Sequence, residues 1–191
     1  MRMKTILTIL AVIALLVAGN YIYAKMNNTV ATPDTNGQSA LGTYHSATYG
    51  ISFQYPDSYV LAERESGNGE RAQHTITLMD KTAAANIPVG GEGPPAITID
   101  IFQNNLEKQT VENWINNSSA SNYKLSPDGT LTQASVAGAP ALAYGWDGLY
   151  RGASIVFAHK QNIVMLSMTS LTAEDQIIFD FANLVASMRL N

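Results

Sequence analysis

The chain has 191 residues, of which 46% are hydrophobic and 14% charged; 15 acids against 11 bases give a formal net charge of −4, and there is no cysteine. The lack of cysteine excludes disulfides, thiolate catalysis and cysteine-ligated metals. A mean hydropathy near zero excludes a multi-span membrane protein, and the apolar content excludes wholesale disorder.

An ordinary soluble domain is about 25% charged, and the shortfall here has a location. Arg2 and Lys4 precede residues 6–24, a stretch of 19 residues without a charge. As a helix rising about 1.5 Å per residue it spans about 28 Å, close to the roughly 30 Å of a bilayer's hydrocarbon core. Residues 1–25 are therefore expected to form a signal anchor with one transmembrane helix. Arg2 and Lys4 would hold its start in the cytoplasm, and Tyr21 and Tyr23 would sit at the outer interface. The alternative is a signal peptide cut at the small-residue site Val17-Ala18-Gly19, which gives a secreted protein. Asn20 stands where a lipoprotein would carry cysteine, so lipidation there is excluded. Both readings put the rest of the chain outside the cytoplasm; the first makes the membrane itself a partner, through residues 6–24.

Beyond Lys25 eight bases face 15 acids, a net of −7. Binding to a phosphate backbone needs clustered Lys and Arg, and no such cluster exists, so no nucleic-acid partner is expected. Residues 26–42 are rich in Asn, Thr, Pro, Gly and Ser and bury too little to order themselves. They read as a flexible linker with a reach of about 20–24 Å.

Residues 43–191 read as one extracytoplasmic domain. Strands are expected from period-two alternation at residues 51–55 (Ile51, Phe53 and Tyr55 on one side), 60–64 and 75–80 (Ile76 and Leu78). Residues 66–70 are turn material, and residues 83–95 a long Gly/Pro-rich loop. Ile97, Ile99 and Ile101 define the cleanest strand, residues 96–102. Val111, Trp114 and Ile115 at helical spacing predict a helix over 110–117. Four more strands follow, at 130–136, 140–145, 150–159 and 162–169. Asp147-Gly148 is expected to make a hairpin turn with positive φ, and Gln161-Asn162 a weaker one. Ile177, Ile178, Phe181, Leu184, Val185 and Met188 form one stripe on a closing helix over 173–188. Thr172 to Asp175 place acceptors at its N-terminus. Tight turns make neighbouring strands antiparallel, and the near-continuous apolar runs at 150–159 and 162–169 imply cover on both faces. The fold class is therefore α+β: a central antiparallel sheet flanked by helices, preceded by one N-terminal transmembrane helix.

Tyr49-Gly50-Ile51-Ser52-Phe53-Gln54-Tyr55-Pro56-Asp57-Ser58-Tyr59 resembles the opening of PsbP-like domains: an aromatic-Gly pair, an alternating strand, then Tyr-Pro and a further aromatic. Val136-Ala-Gly138-Ala-Pro140-Ala141 is similar to their mid-chain motif, and Phe181, Val185, Met188, Arg189 and Leu190 to their closing helix. Ser58-Tyr59 departs from the usual Gly-Trp, and Met188 from the usual Phe. The resemblance implies an α-β-α sandwich and an exported, often membrane-tethered protein of bacterial type. Plant and cyanobacterial members serve oxygen-evolving photosystems; nothing in these residues specifies such a partner.

No Gly-x-Ser-x-Gly elbow is present, and no spacing orients a Ser, His and Asp together, so no catalytic residue is assigned. His45, His74 and His159 lack the spacing of a metal site, which usually needs three or four convergent ligands; no metal and no cofactor is expected. His74 shares strand parity with Ile76 and reads as a hydrogen-bonded sheet residue. Asp100 lies opposite the isoleucine face. The remaining feature is aromatic. Tyr144, Trp146 and Tyr150 bracket the Gly145–Gly148 turn, with Arg151 next, and are the candidate ligand- or partner-binding residues. The other reading packs these rings on the sheet as hairpin anchors. The expected function is a non-enzymatic, membrane-anchored interaction module that binds or stabilises an envelope complex. The alternatives are a small-ligand domain with a cleft near the Trp146 turn and, last, an enzyme whose site assembles from distant residues.

Overall fold

The computed structural model describes residues 40–87 and 93–191. The expected transmembrane helix and residues 26–39 of the expected linker lie outside the described residues. Among the described residues no helix is long and apolar enough to cross a membrane.

Among the described residues ten strands and three α-helices follow one another: β1 (Leu41–Ser46), β2 (Ile51–Pro56), β3 (Tyr59–Ser66), β4 (Gln73–Asp80), α1 (Lys81–Ala85), β5 (Ile97–Gln103), α2 (Val111–Asn117), β6 (Thr132–Val136), β7 (Ala139–Asp147), β8 (Arg151–His159), β9 (Asn162–Ser170), α3 (Gln176–Ser187) and β10 (Arg189–Leu190). They build two antiparallel sheets. The small one has the order β1-β2-β10, the large one β3-β4-β5-β9-β8-β7-β6.

Period-two alternation gives the large sheet two working faces. On one, Ile76 and Leu78, Ile97 to Ile101, Ala141 and Ala143, Ala153 to Phe157, and Val164 to Met168 contribute every second residue. Ile177, Ile178, Phe181, Leu184 and Val185 of α3 pack there, with Ile51 and Phe53 of the small sheet. Each such side chain, fully buried, stabilises by about 1.5–3 kcal/mol. On the opposite face Tyr144, Trp146, Val156, Ile163 and Met165 pack against Trp114 and Ile115 of α2. β8 and β9 are therefore buried on both sides, as their unbroken apolar runs require. The architecture is α+β, mostly antiparallel sheet, with helices on both faces.

Several local features differ from the sequence reading. β1 begins at Leu41, two residues before the expected domain boundary, because it pairs with β2 from Leu41↔Pro56 to Ser46↔Ile51. The expected loop from residue 83 starts with α1, whose cap is Asp80: its carboxylate accepts from the backbone N–H of Thr82 and Ala83 at 2.9 and 3.0 Å. Asp147-Gly148 does not form the expected left-handed turn. Asp147 is the last ladder residue, opposite Arg151, and a three-residue loop joins the strands with no positive φ at either residue. The two-residue turn with both φ positive lies instead between β6 and β7, at Ala137 (49°) and Gly138 (85°). That geometry matches the twist of the strands it joins. The β8–β9 turn sits one residue earlier than expected, at Lys160 and Gln161, with Lys160 at φ 54°. Asp175 is the N-cap residue of α3, but its side chain makes no bond into the helix. It turns back to accept from Leu171 N at 2.7 Å and from the Thr172 hydroxyl at 2.6 Å.

Candidate functional site

Tyr144 and Trp146 share parity on β7 and so point to the α2 face. Tyr144 has no exposed surface. Its hydroxyl donates to Ser121 O at 2.5 Å, and its ring meets Tyr123 edge-on at 5.2 Å. Burial pushes the phenol up to about 12, so it stays a neutral donor at physiological pH. Trp146 is 9% exposed. Its indole N–H donates to Ser154 Oγ at 3.0 Å, and Ser154 bonds Ser167 Oγ at 2.8 Å. The ring lies flat over its cross-strand partner Gly152, where an added Cβ would stand 2.2 Å from two ring carbons. Only glycine leaves room for the indole at that height.

Tyr150 occupies the β7–β8 loop, and its hydroxyl donates to Gly93 O at 2.9 Å, latching that loop to the segment before β5. Arg151 opens β8, partly exposed. The four candidate residues thus share a hairpin without sharing a surface. On the one face that they share, Tyr144 lies under the α2 segment and Trp146, two residues nearer the tip, walls a cleft, while Tyr150 and Arg151 stay at the hairpin tip.

The cleft has a volume of about 260 Å³, and Trp146, Met165, Phe102, Thr98, Asp100 and Ser167 are among its lining residues. It exists because α2 packs on β7 and β8, while the β3–β5 half of the same face presents part-exposed Thr75, Thr77, Thr98 and Phe102. The Thr110 side chain caps α2 by accepting from Asn113 N at 3.2 Å, and Trp114 of α2 meets Phe102 with ring centroids 4.7 Å apart. That contact sets the boundary between covered and open sheet. Asp100 stands there at 8% exposure. Its Oδ1 accepts from Thr75 Oγ1 at 2.7 Å and Gln73 Nε2 at 2.9 Å, which is how a carboxylate is held on a sheet floor without a cation.

A second constellation was not assembled by sequence reasoning. His74 is 6% exposed on the α3 face of β4. Its ladder partner is Glu65, and Glu63 lies two residues along β3 on the same face. His74 Nδ1 is 2.6 Å from Glu65 Oε1. Nε2 is 3.0 Å from Glu63 Oε2 but without hydrogen-bond alignment. Tyr44 donates to Glu63 at 2.9 Å and Tyr49 to Glu65 at 3.3 Å, and the Tyr49 ring stacks on the imidazole at 4.7 Å. Burial, with Glu63 beside it, pushes Tyr44 up to about 12; burial and Glu65 raise Tyr49. The carboxylates lie on opposite edges of the ring, not around a common point. Among the described residues no group of three His, Asp or Glu has metal-holding geometry. His159 donates from Nε2 to Gly50 O at 3.1 Å, and burial lowers its pKa. The parity of Glu63, Glu65 and His74 is visible in the sequence; the β3–β4 register that brings them together is not.

No family model matches the chain, and no curated protein matches it in sequence. Its fold does have solved counterparts. PsbP (CyanoP) of the cyanobacterium Synechocystis superposes with a TM-score of 0.53 at 10% identity, over 85% of this chain and 99% of that one. The Ran-binding protein Mog1p of Saccharomyces cerevisiae gives 0.45 at 10% identity, over 80% and 96%. A Bacteroides thetaiotaomicron protein gives 0.44 at 9%, over 78% and 48%. The first of these shows that the described domain has a PsbP-like fold.

Proposed function

We propose that the chain is a membrane-anchored, extracytoplasmic PsbP-like protein of bacterial type, and that it acts as a non-enzymatic module binding a protein of an envelope complex. The apolar residues 6–24 support the anchor. The observation that carries the binding role is the half-covered face of the large sheet. Next to a helix-packed core lies a trough lined by Gln73, Thr98, Ser167 and the buried Asp100, with Phe102 and Trp146 as its aromatic walls. Two aromatic rings beside Thr98, Asp100 and Ser167 suit a partner's side chain or extended segment. At about 260 Å³ the cleft falls below the roughly 300–1,000 Å³ of small-molecule pockets, which favours a protein partner over a ligand enclosed near Trp146.

The test is crosslinking in intact cells, followed by capture of the full-length protein from solubilised membranes. Wild type is compared with Thr98→Arg, which lays a long cation across the trough without disturbing a core residue. A reproducible envelope partner that Thr98→Arg loses, at unchanged melting temperature, is the expected result. Equal capture by the variant removes the trough as the contact, and an empty wild-type capture overturns the module. The anchor is read from the same membranes: the protein pellets through carbonate washing, and an N-terminus at Asn20 or Lys25 would reject it.

A further inference from the structure

The turn between β1 and β2, the β8–β9 turn and the adjoining ends of β4 and β5 enclose a cleft of about 500 Å³, inside the range of small-molecule sites. It shares no lining residue with the cleft at Trp146. Its composition runs against that of the chain. Acids outnumber bases 15 to 11 overall, yet no Asp or Glu lines it. Lys160 provides a positive charge, and Gln103, Gln161 and Asn162 provide carboxamides. Among the described residues those three carboxamides bond no other protein group, so their N–H donors are free for a ligand. Glu65, close behind, is occupied: its Oε1 lies 2.6 Å from His74 Nδ1 and accepts from the Tyr49 hydroxyl at 3.3 Å.

The charge is also placed. The left-handed turn at Lys160 folds its side chain across Gly50, where a Cβ would stand 2.2 Å from Nζ. Gly50 adopts φ 66°, and its carbonyl ties Asn191 N (2.9 Å) and His159 (3.1 Å) to the same corner. Asn191 O shares that corner, 2.5 Å from the same Cβ position, so the ammonium and this oxygen both fit there because residue 50 has no side chain. Against it the cleft sets the ring of Tyr49, backed by stacked His74, and the apolar Ile101 and Ala72. One cation, three carboxamides and an aromatic ring in one cleft match a single carboxylate on a compact carbon body. A phosphate dianion would call for more charge or a bidentate Arg.

We propose that this cleft binds a small organic monocarboxylate, its carboxylate on Lys160 and its carbon body on Tyr49. The test titrates the isotope-labelled full chain, in detergent micelles, with benzoate and with its neutral isostere benzamide, following backbone amide signals. Benzoate is expected to shift Tyr49, Gln103 and Asn162 saturably at millimolar concentration. Benzamide on wild type, and benzoate on Lys160→Gln, should each bind about tenfold more weakly or worse, as loss of a charge-assisted hydrogen bond implies. The benzamide comparison needs no variant, so it stands even if Lys160→Gln folds poorly. Absence of saturable shifts, equal binding of benzoate and benzamide, or shifts confined to the Trp146 cleft would each overturn the assignment.

Discussion

Gly152→Ala tests the placement of Trp146 most directly. The new Cβ would lie 2.2 Å from indole Cε2 and Cζ2 and 2.6 Å from Cδ2, where carbon atoms prefer about 3.5–4.0 Å. The ring must retreat by more than about 1 Å, and its 3.0 Å bond to Ser154 does not survive that movement. Overpacking costs about 1–3 kcal/mol, and a buried donor left without a partner costs about 1–3 kcal/mol. Against these stands the roughly 0.5–1 kcal/mol gained when a strand glycine becomes alanine. The net loss is about 1–5.5 kcal/mol. In a Trp146→Ala background the obstacle is gone, and Gly152→Ala should become neutral or stabilising by up to about 1 kcal/mol. Urea titrations of the four proteins, followed by far-ultraviolet circular dichroism, close the cycle. A cost for Gly152→Ala that is equal in both backgrounds would refute the geometry. So would a single-variant cost below about 0.5 kcal/mol, the ordinary scatter of surface changes.

Two further outcomes follow from buried and capping polar groups. Tyr59→Phe removes the hydroxyl that donates to Asp180 Oδ2 at 2.8 Å. Asp180 is only 7% exposed and would keep just its 3.1 Å bond from Gln176. The expected loss is about 1.5–3 kcal/mol in urea unfolding, and an unchanged midpoint would rule that bond out as a stabilising element. Asp175 is held below the ordinary carboxylate range, chiefly by the Thr172 hydroxyl and then by the Thr172 and Leu171 backbone N–H groups. Because its folded pKa is depressed, its contribution is fully present above the unfolded value of about 3.9. It is lost as pH falls through the lower folded value. Wild type should therefore exceed Asp175→Ala in stability at neutral pH, with the gap shrinking below pH ~4; a pH-independent gap would contradict this.

The strands and both longer helices were readable because their signals are local. Ile97, Ile99 and Ile101 alternate, and the α3 stripe recurs at helical spacing. What escaped depends on pairing between distant segments. β1 carries few apolar residues and becomes a strand only because β2 offers it an edge. β10 is two residues long and forms by pairing with β2 at Ser52 and Ile51. Asp147-Gly148 carries the stronger local signal for a left-handed turn, but the Val136↔Ala139 register forces that bend at Ala137-Gly138, where alanine gives no such signal. At the candidate sites, the aromatic hairpin was visible, but which of its rings the α2 segment covers depends on packing from outside the hairpin. His74 was recognised as a sheet residue, but its flanking carboxylates come from a neighbour that only register identifies.

The position of β9 has a kinetic side. β9 lies between β5 and β8 and pairs with both, from Ile97↔Met168 to Gln103↔Asn162 along β5. Until residues 162–170 are available, the large sheet is two separate pieces, β3-β4-β5 and β6-β7-β8. Ile97, Ile99 and Ile101 then lack both their edge partner and the helix that covers them. Loop closure over such a separation must be met before any of that apolar surface is buried, and nonlocal sheets fold slowly for this reason. A chain that emerges N-terminus first thus carries no finished core through most of its length. For the exported protein proposed above, this keeps it threadable while it crosses the membrane and defers the closing of the sheet to the far side.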